Sequence, residues 1–353
     1  MDTGTGTAMD RSGSGEASIQ QRQPDRPPAT VARRFARASR VLNRGELSLV
    51  GFTVVVCAVL AIWQPSSFAT MSNVQNMAAQ GAVLGVVAIG QMFPLLVGGF
   101  DISVGAMMGV SSVVGVYLMI NHGVAVGLAG GILATALLGL LNGVLIARFA
   151  LSAFIVTLGM LSLARGFSLT MTGGTPITNP PEAFRWFGSR DLGGIPTTVL
   201  IALVVVLVAG VILALTRMGL YLYSIGSNER AARLAGVAVT RYKILSYVIA
   251  STCAGIAGLM LSSRVASGQP SLGDGYDLRS IAVAVIGGVA IGGGKGRVQG
   301  VLLGLVLITV IGSGLNIADV SPFAQQMVIG LLIILAMLWD RFQTRSQRGE
   351  ASA

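Results

Sequence analysis

The sequence predicts an all-α polytopic membrane protein, a bundle of about ten transmembrane helices with broken or re-entrant segments. Three observations carry that expectation. Hydrophobic residues make up 53% of the chain, charged residues only 11%, and the mean hydropathy is +0.76; soluble domains carry roughly 25% charged residues. Apolar runs near the ~20 residues needed to cross a bilayer recur from Leu47 to Trp339, with turn-like gaps between them. Lys and Arg gather in alternate gaps, as they do in loops retained on the cytoplasmic side.

In chain order, residues 1–45 are rich in Gly, Ser, Gln, Pro and Arg, and lack the apolar mass to fold. They read as a disordered basic cytoplasmic tail. The charged stretch Arg33 to Arg44 enters Leu47–Trp63 with no small-residue cleavage site after it, so that segment is a retained first span and not a signal peptide. The spans follow at 47–63, 74–97, 103–120, 124–147, 151–171, 198–216, 244–263, 280–292, 297–315 and 323–339, within a membrane domain of 46–340. A cytoplasmic C-terminal tail, 341–353, closes the chain.

Ten spans place both termini on one side. Eight Arg precede the first span; Arg148, then Arg217, Arg230, Arg233, Arg241 and Lys243, then Lys295 and Arg297, then Arg341, Arg345 and Arg348 fall on the same face. Arg185, Arg190, Arg264 and Arg279 fall on the other, and Arg165 lies within a span. The net charge of +10 is thus the cytoplasmic bias of a membrane protein beside anionic lipid, and it calls for no nucleic-acid partner. Cys57 and Cys253 both sit in predicted spans and act as small apolar side chains.

Two places interrupt the apolar pattern. In Val97-Gly-Gly-Phe-Asp-Ile-Ser-Val-Gly105, glycines, a carboxylate and a hydroxyl break a run of over forty residues. Asp101 would cost about 2.5–3.5 kcal/mol at the centre of a spanning helix, so it should face a wet cavity, a partner or helix N-terminal amides. One reading makes Gly98, Gly99, Asp101, Ser103 and Gly105 part of an unwound segment lining a translocation pathway; the other makes them a tight turn with Asp101 or Ser103 as cap. The second break is Ala284-Val-Ile-Gly-Gly-Val-Ala-Ile-Gly-Gly-Gly-Lys-Gly-Arg297, after a span of about thirteen residues, too short to cross alone. It is no phosphate loop, because Val289 stands where G-x-x-x-x-G-K-[ST] needs its first Gly and Gly296 replaces the Ser or Thr.

No catalytic or metal-binding set is legible. The single histidine, His122, sits in the turn Asn121-His-Gly123, and no G-x-S-x-G elbow occurs. The remaining polar island is Tyr223 to Lys243. Ser227 or Asn228 is placed as N-cap, Glu229 complements the helix dipole, and Gly236 is placed as the stop, giving a helix over Glu229–Ala235. Two turns are too short to be stable alone. Ala231, Ala232 and Ala235 permit close approach to a docking surface, with Arg230 and Arg233 at its rim.

Four ordered motifs resemble those of the ribose/monosaccharide ABC importer permeases: Gly98-Gly-Phe-Asp-Ile-Ser-Val-Gly105, Phe154-Ile-Val-Thr-Leu-Gly-Met-Leu-Ser-Leu-Ala-Arg-Gly166, Ile225-Gly-Ser-Asn-Glu-Arg-Ala-Ala-Arg-Leu-Ala-Gly236 and Gly275-Tyr-Asp-Leu-Arg-Ser-Ile-Ala-Val-Ala-Val-Ile-Gly-Gly288. Gly292-Gly-Gly-Lys-Gly296 continues the series, and the match runs from about 45 to 340. Phe100 stands where the family often has Ile. The resemblance implies a non-enzymatic membrane subunit that works as a homodimer or heterodimer in the inner membrane. It implies an ABC ATPase subunit holding the ATP and magnesium, and an extracytoplasmic sugar-binding protein. It also implies that Gly226, Asn228, Glu229, Arg230, Ala231, Ala232, Arg233, Leu234 and Gly236 couple to the ATPase. Phe154 and Thr157 of the second motif, with Gly287 and Gly288 of the fourth, join the candidate pathway residues. The loop 172–197 is expected outside, with Phe184, Trp186 and Phe187 at the lipid interface or against the binding protein. The alternatives are an ABC permease for another solute (branched-chain amino acid, nucleoside, signalling sugar) and a secondary transporter. The latter is disfavoured because Asp101 is the one plausible coupling carboxylate in the bundle.

Overall fold

The computed structural model describes residues 3–4, 44–321, 323–332 and 334–335. Nearly all of the N-terminal tail and the whole segment 341–353 lie outside the described residues. Among these residues, eight helices are long and apolar enough to span a bilayer: α1 (Arg44–Trp63), α3 (Met71–Leu96), α4 (Val104–His122), α5 (Val124–Ala147), α6 (Ala153–Thr172), α8 (Thr197–Leu215), α11 (Val239–Val265) and α13 (Val298–Ile317). Shorter helices are α2 (Pro65–Phe68), α7 (Glu182–Ser189), α9 (Arg217–Ser227), α10 (Glu229–Leu234) and α12 (Tyr276–Ile286). The tenth expected span is described over α14, Phe323–Leu332.

Burial sorts the helices into a centre and a shell. α3 is buried from Gly81 to Leu96, and α4 and α11 are largely so, whereas α1 exposes its apolar residues and α5, α6 and α8 bury one narrow face each. A helix apolar all round can do this only where protein surrounds it, and a shell helix only where hydrocarbon does. Between helices in lipid the hydrophobic effect is weak, so small residues that let backbones approach take over. The buried face of α5 shows it: Gly127, Gly131, Thr135, Gly139, Asn142 and Gly143 wedge between α4 and α11. A Cβ at Gly143 would lie 2.8 Å from the Ile244 Cα.

The expected span 280–292 is not a full helix. α12 has 11 residues, roughly 16 Å at 1.5 Å per residue, about half the hydrocarbon thickness. A non-helical segment, extended at Ser267–Gly268 and folded into consecutive turns over 270–275, supplies the rest. The chain leaves α11 at Ala266 (φ +52) and runs back along α4: Gly268 lies beside Ser112 and Val116, Pro270 beside Gly109 and Gly273 beside Gly105. The Gln269 N–H donates to Ser112 Oγ at 2.8 Å. The sequence reading placed the break after this span; the structure adds one before it.

The bundle has two distinct ends. At one, α9 meets the glycine turn 287–297 and the break after α3, with α10 packed on α9 and α11: the Gly294 N–H donates to the Leu96 carbonyl at 2.9 Å, and the Tyr223 hydroxyl donates to the Gly296 carbonyl at 2.9 Å. Arg297 pairs there with Glu46 at the start of α1, 3.2 Å apart. At the other end, residues 172–197 fold as strand β1 (Ile177–Thr178), α7 and a hairpin of β2 (Asp191–Leu192) with β3 (Ile195–Pro196). β1 pairs antiparallel with β4 (Ser267–Gly268), the first residues of the non-helical segment. Trp186 and Phe187 are partly exposed there, but Phe184 is not an interface residue: it is buried against Val116, Met119 and Leu259. In α7, Gly188 lets Phe184 seat by packing on Ser263, whose hydroxyl donates to the Phe184 carbonyl.

Replacing Gly143 by Leu should separate α5 from α11, an overpacking that costs about 1–3 kcal/mol or more. The thermal midpoint of the purified protein in detergent should fall by several degrees, while Gly210→Leu, on a face of α8 with open space around it, should leave it unchanged.

Candidate functional site

α10 forms as its sequence directs, one residue shorter than expected. Asn228 is the N-cap, its side chain accepting the Ala231 N–H at 2.9 Å, and Gly236 (φ +80) ends the turn that follows. Glu229 holds the helix down. Its carboxylate accepts from Arg233 Nη2 at 3.0 Å, one turn on, and from Lys243 Nζ at 2.6 Å on α11. The hydrogen bond from Lys243, aided by the nearby positive charges, keeps the Glu229 carboxyl below the usual carboxylate range. Two further anchors face the bundle: Ala232 is buried in the cluster that holds Leu222, Ile225 and Val239, and a Cβ on the partly buried Gly226 would collide with the Leu96 carbonyl. Of the residues expected to couple, Gly226 and Ala232 therefore face the bundle. Asn228, Arg230, Ala231, Arg233, Leu234 and Gly236 stay exposed, and Leu234 presents 84% of its surface.

At the first break, α3 ends at Leu96 and α4 begins at Val104. Gly98 (φ +79) turns the chain. Asp101 faces neither solvent nor bare helix amides; it finds partners. Fully buried, its Oδ1 accepts from the Ser103 N–H at 2.8 Å and from the Ser103 hydroxyl. Asn142 of α5 donates to Asp101 Oδ2 at 3.4 Å and to Ser103 Oγ at 3.1 Å. Gly99 makes room for the Tyr247 hydroxyl, which a Cβ would strike. The break is thus a tight turn whose carboxylate is held by Ser103 and by Asn142 of α5, while Asn142 Oδ1 and the Tyr247 hydroxyl are buried without a hydrogen-bond partner.

The other expected pathway residues divide. Phe154 reaches the break, its ring 6.3 Å from that of Phe100. Thr157 is buried, donating to the Ala153 carbonyl within α6 at 2.8 Å. Gly105 meets the non-helical segment, where a Cβ would lie 2.6 Å from the Gly273 carbonyl. Gly287 packs on Gly300 of α13, and Gly288 (φ +84) opens the glycine turn. They are brought to the seams between helices, not to one open channel within the chain.

Residues 73–337 match the family described as "Branched-chain amino acid transport system / permease component". The chain is 36% identical over 300 residues to the ribose import permease protein RbsC of Escherichia coli (strain K12), covering 84% of this chain and 93% of that one. It is 38% identical over 291 residues to RbsC of Bacillus subtilis (strain 168), 81% and 90% of the two chains. The L-arabinose transport system permease protein AraH of Escherichia coli (strain K12) is 35% identical over 301 residues, 85% and 91% of the two. The chain belongs to this permease family. No solved structure matches it.

The permease holds further polar groups in its bundle that the sequence reading passed over. Asp101 is not the only carboxylate there. The break before α12 brings in Asp274, paired with Arg165 of α6 at 2.8 Å, and Asp277, whose Oδ1 is buried without a hydrogen-bond partner. A cavity of about 480 Å³ opens between α3, α12, α13 and α14. Its signal is present in the sequence: Asn73, Asn76 and Gln80, then Thr309, Ser313 and Asn316, recur at helical spacing along spans otherwise apolar.

Two outcomes follow for the permease. Asn142→Leu leaves a buried carboxylate oxygen without its donor, which costs about 1–3 kcal/mol for a neutral group and more for a charged one, so its thermal midpoint in detergent should drop by several degrees. The Glu229 carboxyl has a depressed folded pKa, so its tether is present above the ordinary Glu value of about 4.3 and is lost as pH falls through the lower folded value. Amide-exchange protection of residues 229–236 should therefore decline on acidification toward pH 4 and below, and Glu229→Gln should show the loss already at pH 7.

Proposed function

We propose that this permease is the membrane subunit of an ATP-driven importer for a monosaccharide. The observation that carries the reading is the near full-length match to permeases named for ribose and L-arabinose. Two features of the molecule support it. The first is α10, a short helix pinned by Ala232 and Glu229 and offering Arg230, Arg233 and Leu234 outward. The two arginines are of the residue type that carries interface energy, and the exposed leucine adds apolar area beside them. In this reading the partner is a separate ATPase that carries ATP and magnesium, and its closure pushes the lever formed by α9 and α10 against the glycine turn and the break after α3. The amides of that turn are engaged internally, Gly293 with the Ala290 carbonyl and Gly294 with the Leu96 carbonyl, in keeping with nucleotide chemistry lying on another subunit.

The second feature is the opposite end, where α7 and the β2–β3 hairpin form a cap suited to an extracytoplasmic sugar-binding protein. Arg217, Arg230, Arg233, Arg241, Lys243, Lys295 and Arg297 all lie at or beside the α10 end, which makes that end cytoplasmic by the positive-inside rule. The start of α1 shares it through Glu46 and Arg297. Both termini are then cytoplasmic, in the inner membrane. A second permease copy completes the translocation pathway, for which Gly98, Gly99, Asp101, Ser103, Gly105, Phe154, Thr157, Gly287 and Gly288 supply the movable seams.

Leu234→Asp tests the reading. In cells expressing the full transporter, uptake of radiolabelled D-ribose or L-arabinose should fall about tenfold or more, as loss of a docking contact does, with unchanged permease in the membrane. Wild-type uptake that persists without ATP, or a purified permease with which no ATPase travels, would sink it.

A further inference from the structure

The cavity between α3, α12, α13 and α14 lies at the end of the permease away from α10. It is built from the first three turns of α3 and the last three of α13, and Gln75 of the same part of α3 donates to the Gly194 carbonyl of the β2–β3 hairpin at 3.1 Å. Its volume of about 480 Å³ falls within the roughly 300–1,000 Å³ typical of small-molecule sites.

The lining is unusual for so apolar a chain. Asn76 and Gln80 come from α3, Tyr276 and Arg279 from α12, Thr309 from α13 and Gln325 from α14. Two pairs set the walls. The Ser313 hydroxyl donates to Asn73 Oδ1 at 3.0 Å, and Gln325 Nε2 donates to Asn316 Oδ1 at 2.8 Å. Other groups are left over. Asn76 and Gln80, exposed at the mouth of the cavity, and the partly buried Arg279 make no side-chain hydrogen bond or ion pair among the described residues, and the Thr309 hydroxyl is buried without one. Polar side chains at membrane depth are costly and are retained where a route or a ligand uses them.

The chemistry of the leftover groups selects the ligand. Two carboxamides and a hydroxyl each donate and accept, as the hydroxyls of a polyol do, and the Arg279 guanidinium offers several donors to neighbouring oxygens. The Tyr276 ring provides a wall for a C–H face. Arg279 is the one charged residue of the lining, and no Asp or Glu joins it. A zwitterionic amino acid would leave its ammonium without a counter-charge here.

We propose that this cavity is a subsite for a neutral, polyhydroxylated small solute of the monosaccharide class, entered from the end that carries α7. The proposal rests on the importer reading above and narrows it, placing the solute within one protomer and setting its class against the amino-acid description of the family.

The test uses the purified full-length permease in lipid nanodiscs, with Cys57 and Cys253 replaced by Ala and a single thiol introduced as Asn76→Cys. A membrane-impermeant maleimide should label that thiol. D-Ribose or L-arabinose at high millimolar concentration should slow labelling by about threefold or more, as occupancy of a small-molecule pocket does, while L-leucine should not, and adding Gln80→Leu should abolish the protection. A thiol that does not label, protection by neither sugar, or equal protection by L-leucine would overturn the subsite. The importer reading is separated by uptake. If Gln80→Leu and Thr309→Val leave ATP-driven sugar uptake with unchanged half-saturation and rate, the subsite falls and the importer stands; if the wild type takes up no monosaccharide, the importer reading falls.

Discussion

A backbone segment that leaves helical geometry inside a bilayer must find its hydrogen-bond partners in protein, because hydrocarbon offers none. That constraint governs the crossing at 266–286. The non-helical segment exists because Gly105 and Gly109 of α4 let the Gly273 and Pro270 carbonyls come close, because Ser112 takes the Gln269 N–H, and because β1 pairs with Ser267 and Gly268. Tyr276 and Arg279, placed by the start of α12, reach the polar cavity only because the helix begins where the non-helical piece ends.

The same economy shapes the opposite end. The break after α3, the glycine turn and α9 interlock through Gly226 and Gly293, where a Cβ would strike backbone, and through Gly98, whose positive φ suits glycine. A contact of backbone on backbone has few ways to yield by side-chain rearrangement. The Glu229 tether adds a second connection, from α10 to α11. In this arrangement the short helix is stable only by virtue of what it touches, as its six residues require.

Polar side chains of the bundle are arranged in two ways. Asp101, Ser103 and Asn142 hydrogen-bond one another between the break and α5. Asn76, Gln80, Arg279 and Thr309 are arranged around a space instead. The distinction lies in where the second hydrogen-bond partner sits, inside the fold or in the cavity, and it separates residues that hold the bundle from residues free to meet a solute.

The sequence alone determined the solvent, the helical class, the cap and stop of α10, and the two interruptions, because each follows from local composition, helical period or a single residue's backbone preference. Legible but unread was the polar stripe Asn73, Asn76, Gln80, whose spacing is helical like that of its apolar neighbours. Tertiary structure decided the rest. Which helices are central and which face lipid could not be read, since both are apolar all round and differ only in what surrounds them. Nor could the split of α10 into exposed Leu234 and buried Ala232, the burial of Phe184, or the break before α12. Each of these depends on close approach to a segment distant in sequence, which no local pattern encodes.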